Sequence, residues 1–336
     1  DFELINPNTF TCPIFRTRND AEITKEMYRY VPILENERTG NNPWSVSFRQ
    51  GLFNMTSDSA LFKDDIDDGL VPLYEAKMLH QFEHRYSTYE GATQANLNVG
   101  ILPQVTDEMK QNRNFTVKPR YWVELTEVKK RLSDKWDKKW LIGLRDICRN
   151  TNLRTCIGSF LPIVATSGMN LVFVQAESDR LITCFYANLQ SLVFDYIVRQ
   201  KVGGTHLSQN YLKQLPVIPP EAYASEDIEF ISSRVLELVY TAWDMQPFAQ
   251  DMEYDGEPFI WNPNRRALLR AELDAYYAKL YGLTRDELRY ILDPADVYGE
   301  DFPSETFRVL KNNEIKQFGE YRTQRLVLEA WDRMFG

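Results

Sequence analysis

Between Arg145 and Arg154 the chain gathers three arginines, Arg145, Arg149 and Arg154, with the amides Asn150 and Asn152 and the hydroxyls Thr151 and Thr155. Guanidinium groups offer a planar fork of N–H donors, while amides and hydroxyls both donate and accept. That mixture is used on phosphate oxygens and on base edges. A second set follows at Arg199, Lys201, Gly203-Gly204-Thr205-His206, Gln209 and Lys213. Gly203-Gly204 is expected to end a helix in the left-handed conformation and to leave His206 on a ligand-facing turn. Lys118 and Arg120 complete the candidate contacts. Plainer roles compete with these: Arg199 and Lys201 complement a helix dipole, and His206 suits an ordinary turn.

Other chemistries are weaker. Glu127-Val128-Lys129, with Asp107-Glu108 upstream, fits half of a metal-dependent nuclease, in which two carboxylates hold an ion that activates water. The motif is short, and Glu127 and Lys129 fall in a stretch that continues into a charged helix. His80 and His84 are expected on one helix face at four-residue spacing, without a third zinc ligand, so both are read as packing or capping residues. Asp64, Asp65, Asp67 and Asp68 before Gly69 resemble a calcium loop that lacks its closing glutamate, and a solvated turn is expected.

The elements that must position these residues suggest an α+β fold: a mixed-sheet recognition module followed by an α-helical C-terminal domain. Residues 1–70 form a connector, with one short helix boxed by Asn19 and Glu22, stopped at Pro32, and a strand over Trp44 to Phe48. Residues 71–220 mix strands at Arg120 to Val123, Trp140 to Leu144 and Asn170 to Gln175 with one long helix. That helix carries Ile182, Phe185, Leu189, Leu192, Val193, Tyr196 and Ile197 on a single stripe. Residues 221–336 read as helices: Asp227 to Trp243, Asn264 to Tyr281 closed by Gly282, a short one boxed by Thr284 and Glu287 and ended at Pro294, then Ser304 to Phe318 and Tyr321 to Phe335.

The chain has 336 residues and a net charge of −9, which argues against DNA until the charge is divided along it. Residues 1–109 carry −8, 110–160 carry +8, 161–220 carry +1 and 221–336 carry −10. Binding to a polyanion depends on the local field, so the basic block can act although the whole is acidic. No apolar run approaches the roughly 18 residues of a membrane span, and a cytoplasmic location without membrane contact is expected. Cys12, Cys148, Cys156 and Cys184 are too scattered for a zinc knuckle and too few for a disulfide framework, and are read as small buried hydrophobes. The opening Asp1-Phe2-Glu3-Leu4-Ile5 reads like mid-protein sequence, and a piece of a longer protein is expected.

Several segments carry a family resemblance. Asn6-Pro7-Asn8-Thr9 with Cys12-Pro13-Ile14-Phe15-Arg16 resembles the segment after the catalytic core of bacterial adenine-specific DNA methyltransferases from restriction-modification and phage-defence systems. Pro72-Leu73-Tyr74-Glu75-Ala76-Lys77-Met78 with Phe82-Glu83-His84-Arg85 is similar to their entry into target recognition, where glycine commonly stands at the Ala76 position. Trp140 to Pro162 and Leu181 to Pro220 resemble the target-recognition domain, a module like half of a Type I specificity subunit. Arg270 to Ala275 and Leu280 to Thr284 resemble the tail of these enzymes. The resemblance implies sequence-specific binding of double-stranded DNA for N6-adenine methylation. It also implies an upstream methyltransferase domain that supplies S-adenosylmethionine and the active site. The Asn/Asp-Pro-Pro-aromatic motif of that active site is missing from this segment, where Asn42-Pro43-Trp44 lacks the second proline, so the segment itself is expected to hold no cofactor and no catalytic residue. The alternatives are the nuclease already described and an acidic scaffold that docks a partner protein. If Arg154 reads a guanine, Arg154→Ala should cost about 1 to 3 kcal/mol on the recognised site, measured by equilibrium binding.

Overall fold

A computed structural model describes residues 2–11, 15–132, 135–149, 152–303 and 306–336. The N-terminal part runs α1 (Phe2–Ile5), α2 (Arg18–Tyr30), β1 (Ser47–Gln50), β2 (Leu70–Glu75), α3 (Gln94–Val99), α4 (Asp107–Gln111), β3 (Trp122–Glu124) and α5 (Leu125–Leu132). The middle runs β4 (Trp140–Arg145), β5 (Gly158–Pro162), β6 (Ala165–Ser167), β7 (Met169–Phe173), α6 (Asp179–Gln190), α7 (Leu192–Lys201) and α8 (Gln209–Lys213). The rest is helical: α9 (Ser225–Val239), α10 (Gln246–Asp251), α11 (Pro263–Leu280), α12 (Arg285–Leu292), α13 (Pro294–Tyr298), α14 (Arg308–Phe318) and α15 (Arg322–Phe335). This is an α+β fold with a helical C-terminal region.

Two small sheets form the β part. The first is antiparallel, in the order β1-β7-β4-β5, and the second, β3-β2-β6, joins an antiparallel to a parallel pair. Side chains alternate across a strand, and in the first sheet both faces are covered. Trp140, Ile142, Leu144 and Val172 enter the core built with the helices, while Leu141, Leu171 and Phe173 enter a second core against β2, β3 and α5.

The larger core does not respect the boundaries expected from sequence. Ile5, Met27, Leu34 and Trp44 pack with the middle helices and with Leu269, Tyr277, Val327 and Trp331 of the C-terminal helices. The N-terminal segment is thus built into the same core as the tail. Trp44 fixes the join by donating its indole N–H to the Ile218 carbonyl at 3.0 Å.

The long apolar helix is two helices. Ser191 has extended backbone angles, its hydroxyl accepts the Phe194 N–H at 3.2 Å to cap α7, and α6 and α7 meet at 53°. Leu181 to Arg199 is buried without interruption, as expected of a helix apolar all round. Among the described residues no single helix is long and apolar enough to cross a membrane. Helix α2 is capped by Thr17, which exchanges hydrogen bonds with Asp20, rather than by Asn19. The box of Thr284 and Glu287 forms, and Gly282 takes φ +76° after α11. Cys148, Cys156 and Cys184 are buried thiols, while Cys12-Pro13-Ile14 and Ser304 lie outside the described residues.

Asp274 of α11 completes the α6–α7 junction by accepting the Leu192 N–H at 2.7 Å. Burial pushes its carboxyl up to about 6, against the opposing pull of Arg154, the Leu192 N–H and Arg270. Because the folded value lies above the unfolded one, the folded chain takes up a proton first as pH falls. Asp274 therefore costs stability above that window, and the cost fades as pH drops through 6. The stability of the wild type relative to Asp274→Asn should rise by about 1 kcal/mol between pH 7 and pH 5, measured by urea denaturation.

Candidate nucleic-acid interface

β4 leaves its sheet at Arg145, and α7 ends at Lys201; the two loops that follow, far apart in sequence, lie edge to edge. The Leu207 N–H donates to the Asp146 carbonyl at 2.8 Å, and the Cys148 N–H donates to the Thr205 carbonyl at 2.9 Å. Ile147 and His206 thereby form an antiparallel bridge. His206 Nδ1 adds a contact with the Asp146 carboxylate at 2.8 Å, and Asn170 of β7 donates to the Leu207 carbonyl at 3.1 Å. Ile147, Arg149, Asn152 and Gly203 to His206 are exposed on the joined loops. Asn150 and Thr151 lie outside the described residues.

Gly203 and Gly204 do not cap α7 as expected. Val202 is the cap residue, with φ −82°, and neither glycine has positive φ. A Cβ on either would meet nothing within 4 Å. Neither backbone angle nor internal packing requires glycine at these positions, so their bare main chain faces outward.

Behind the loops lies a buried carboxylate. Asp195 of α7 is fully buried, accepts the Thr155 N–H at 2.9 Å and the Cys156 N–H at 2.7 Å, and pairs with Arg154 at 3.4 Å and Arg199 at 3.1 Å. Arg154 also donates to the Gln190 carbonyl at 2.5 Å. Arg199 reaches the carbonyls of Asn152 at 2.7 Å, Leu153 at 2.9 Å and Thr306. Burial lowers the Arg199 pKa, which Asp195 counters. These two arginines were expected to touch DNA; instead they are interior struts, because a buried carboxylate needs paired charge more than an exposed phosphate does.

Three more candidates are committed internally. Arg145 donates from Nε to the Leu79 carbonyl at 3.0 Å, with Nη2 on the same oxygen, and lies 5.5 Å from the Tyr86 ring centre. Lys201 donates to the Ile5 carbonyl at 2.7 Å and to the Gln214 carbonyl, and burial holds its ammonium well below the ordinary lysine value. Lys213 bridges Glu35 at 3.2 Å and Glu37 at 2.6 Å. Lys118 and Arg120 are exposed in the segment before β3, and Gln209 is half-buried at the first turn of α8.

The basic block is partly neutralised within the fold, while Lys118, Arg120, Lys129, Lys130, Lys135, Lys139 and Arg149 stay exposed. Lys110 pairs with Glu83, Arg113 with Glu257, Arg131 with Asp58 and Lys138 with Asp179. Lys139 and Arg149 are exposed before and after β4, a six-residue strand of roughly 20 Å. Of the candidates, Arg149, Asn152 and the Gly203 to His206 turn are the exposed groups that the joined loops bring together. Sequence reasoning missed Asp146 and Ile147; a carboxylate and an exposed Ile directly after a strand were the available signal.

Glu127 sits on α5 beside Lys130 at 3.8 Å, and Asp107 on α4 accepts the Trp261 indole N–H at 2.7 Å. Among the described residues no three of His, Cys, Asp and Glu come together as a metal-holding group. His80 and His84 lie in turns rather than on a helix: His80 is 4.7 Å from the Tyr86 ring centre, and buried His84 contacts the Asp244 carboxylate at 2.9 Å.

Compared with known proteins, the chain matches no family model and no curated protein.

Arg154→Ala should now act on folding rather than on recognition. Removing one guanidinium from a buried carboxylate should cost about 3 to 5 kcal/mol in urea denaturation, whereas exposed Arg149→Ala should leave stability within about 0.5 kcal/mol.

Proposed function

We propose that this chain is the DNA-reading part of a site-specific N6-adenine DNA methyltransferase from a cytoplasmic restriction-modification or phage-defence system. The methyl-transfer site and its S-adenosylmethionine belong to another domain of that enzyme. The observation that carries the reading is the joining of two loops through Asp146, Cys148, Thr205 and Leu207, which forms one ridge of exposed Arg149, Asn152, Ile147, Thr205 and His206. A guanidinium and an amide can read base edges, an apolar side chain can meet a thymine methyl, and bare glycine backbone can approach phosphate. The family resemblance independently assigns both loops to recognition. The buried arginines serve this function by stiffening the ridge from behind, since a reader must hold its contacts in register.

Duplex binding by the 336-residue chain, followed by fluorescence anisotropy across salt concentrations, tests this. Affinity should fall as salt rises, and Arg149→Ala should weaken binding about tenfold. If Arg149 meets phosphate, the log–log salt slope drops by about one; if it meets a base, preference at one position is lost. Gly204→Val should leave the melting temperature unchanged and impair DNA binding. Salt-independent binding, or duplex affinity untouched by both variants, would remove this proposal.

A further inference from the structure

A cavity of about 340 Å³ starts at Leu153 and Arg154, just behind Asn152 of the ridge, and lies between the His80 to Phe82 turn, the α6–α7 junction and helices α11, α14 and α15. Phe82, Leu153, Leu310, Phe318 and Leu326 supply its apolar wall. Arg154, Arg270 and Arg322 supply guanidinium groups from three separate segments. This is the size and make-up of a small-molecule site: mostly apolar, with a few convergent polar groups.

The wall carries both signs of charge, and its hydrogen-bonding groups are unequally committed. Glu314 has both oxygens occupied by Thr323, through its N–H and its hydroxyl, each at 2.6 Å. Asp274 is taken by the Leu192 N–H, and Asp195 is shared between Arg154 and Arg199. Arg270, exposed to the cavity, makes no hydrogen bond or ion pair among the described residues. Arg322 donates one N–H to Asn264 at 3.0 Å and lies 5.0 Å from the Phe318 ring centre. Gln190, 3% exposed, has an amide nitrogen in the same wall with no acceptor. Burial first, then the nearby Arg145, Arg270, Arg154 and Lys110, hold the His80 imidazole well below its ordinary value.

We propose that this cavity binds a phosphate-bearing small molecule with a flat, largely apolar body, of the nucleoside monophosphate class. Arg270 and Arg322, on α11 and α15, hold the phosphate, and the ring system lies along the Phe82, Leu310 and Phe318 wall. Guanidinium groups arriving from different helices suit a group with several equatorial oxygens better than a single planar carboxylate. Arg270 on α11 feels the charges of Asp274, Glu83 and Glu314 without hydrogen-bonding to them, so its N–H donors are open to the ligand.

The test is calorimetric titration of the 336-residue chain with AMP, adenosine and inorganic phosphate, paired with thermal melts. No DNA is present, so the outcome is independent of duplex reading. AMP should bind and raise the melting temperature, and adenosine should bind about tenfold more weakly or worse. Arg270→Gln should keep the melting temperature of the ligand-free chain and weaken AMP about tenfold or more. Phe318→Ala, at an exposed ring, is the second variant and should weaken AMP without changing inorganic phosphate binding. No binding of AMP, GMP, CMP or TMP at millimolar concentration, adenosine binding as tightly as AMP, or unchanged AMP affinity in both variants would overturn the proposal.

Discussion

The α7 carboxylate of Asp195 is the constraint on which the middle of the molecule depends. A charge removed from water is tolerated only when its lone pairs are met, and here two backbone N–H groups and two guanidiniums meet them. Each partner belongs to a different requirement of the fold. The N–H groups come from Thr155 and Cys156, which lead into β5. Arg154 ties the same segment to the end of α6 through Gln190, and Arg199 reaches the Asn152 and Leu153 carbonyls and, further on, Thr306. The loop after β4 is therefore held at its far end by buried charge and at its near end by the bridge to His206.

This arrangement divides the arginines by task. A guanidinium can serve a buried carboxylate or an external phosphate, but not both at once. Arg154 and Arg199 are interior, while Arg149, between the two anchor points, remains in solvent. Local rigidity and local exposure in one short segment are what a reading loop requires, and rigid supports sharpen contacts that free loops would blur.

Much of the architecture was legible in sequence. Trp140 to Leu144 and Asn170 to Gln175 read as strands because β-branched and aromatic residues cluster there, and Thr284 with Glu287 announced its cap by chemistry that acts within one turn. Features that depend on distant partners were hidden. Leu70–Glu75 and Ala165–Ser167 pair in parallel across a long separation, so neither shows a hairpin signal. The break at Ser191 left the apolar stripe unbroken, because both helices are buried on every side. In the candidate interface, several residues expected to face a ligand are held inside the protein instead. Side-chain type told that Arg145, Arg154, Arg199 and Lys201 could meet an anion. Only the fold tells that a carbonyl or carboxylate inside the protein reaches them first. The glycines were foreseen for a helix cap and found to be open backbone instead.

The shared core of the N-terminal segment and the C-terminal helices has a practical corollary. Met27, Leu34 and Trp44 cover part of the same interior that Leu269, Tyr277 and Trp331 close from the other direction. Excising residues 71–220 as a minimal cassette would strip both covers and leave α6 and α7 with broad greasy flanks in water, a surface prone to clumping. Exchanging only the two loop tips after β4 and α7, by contrast, leaves this shared interior covered.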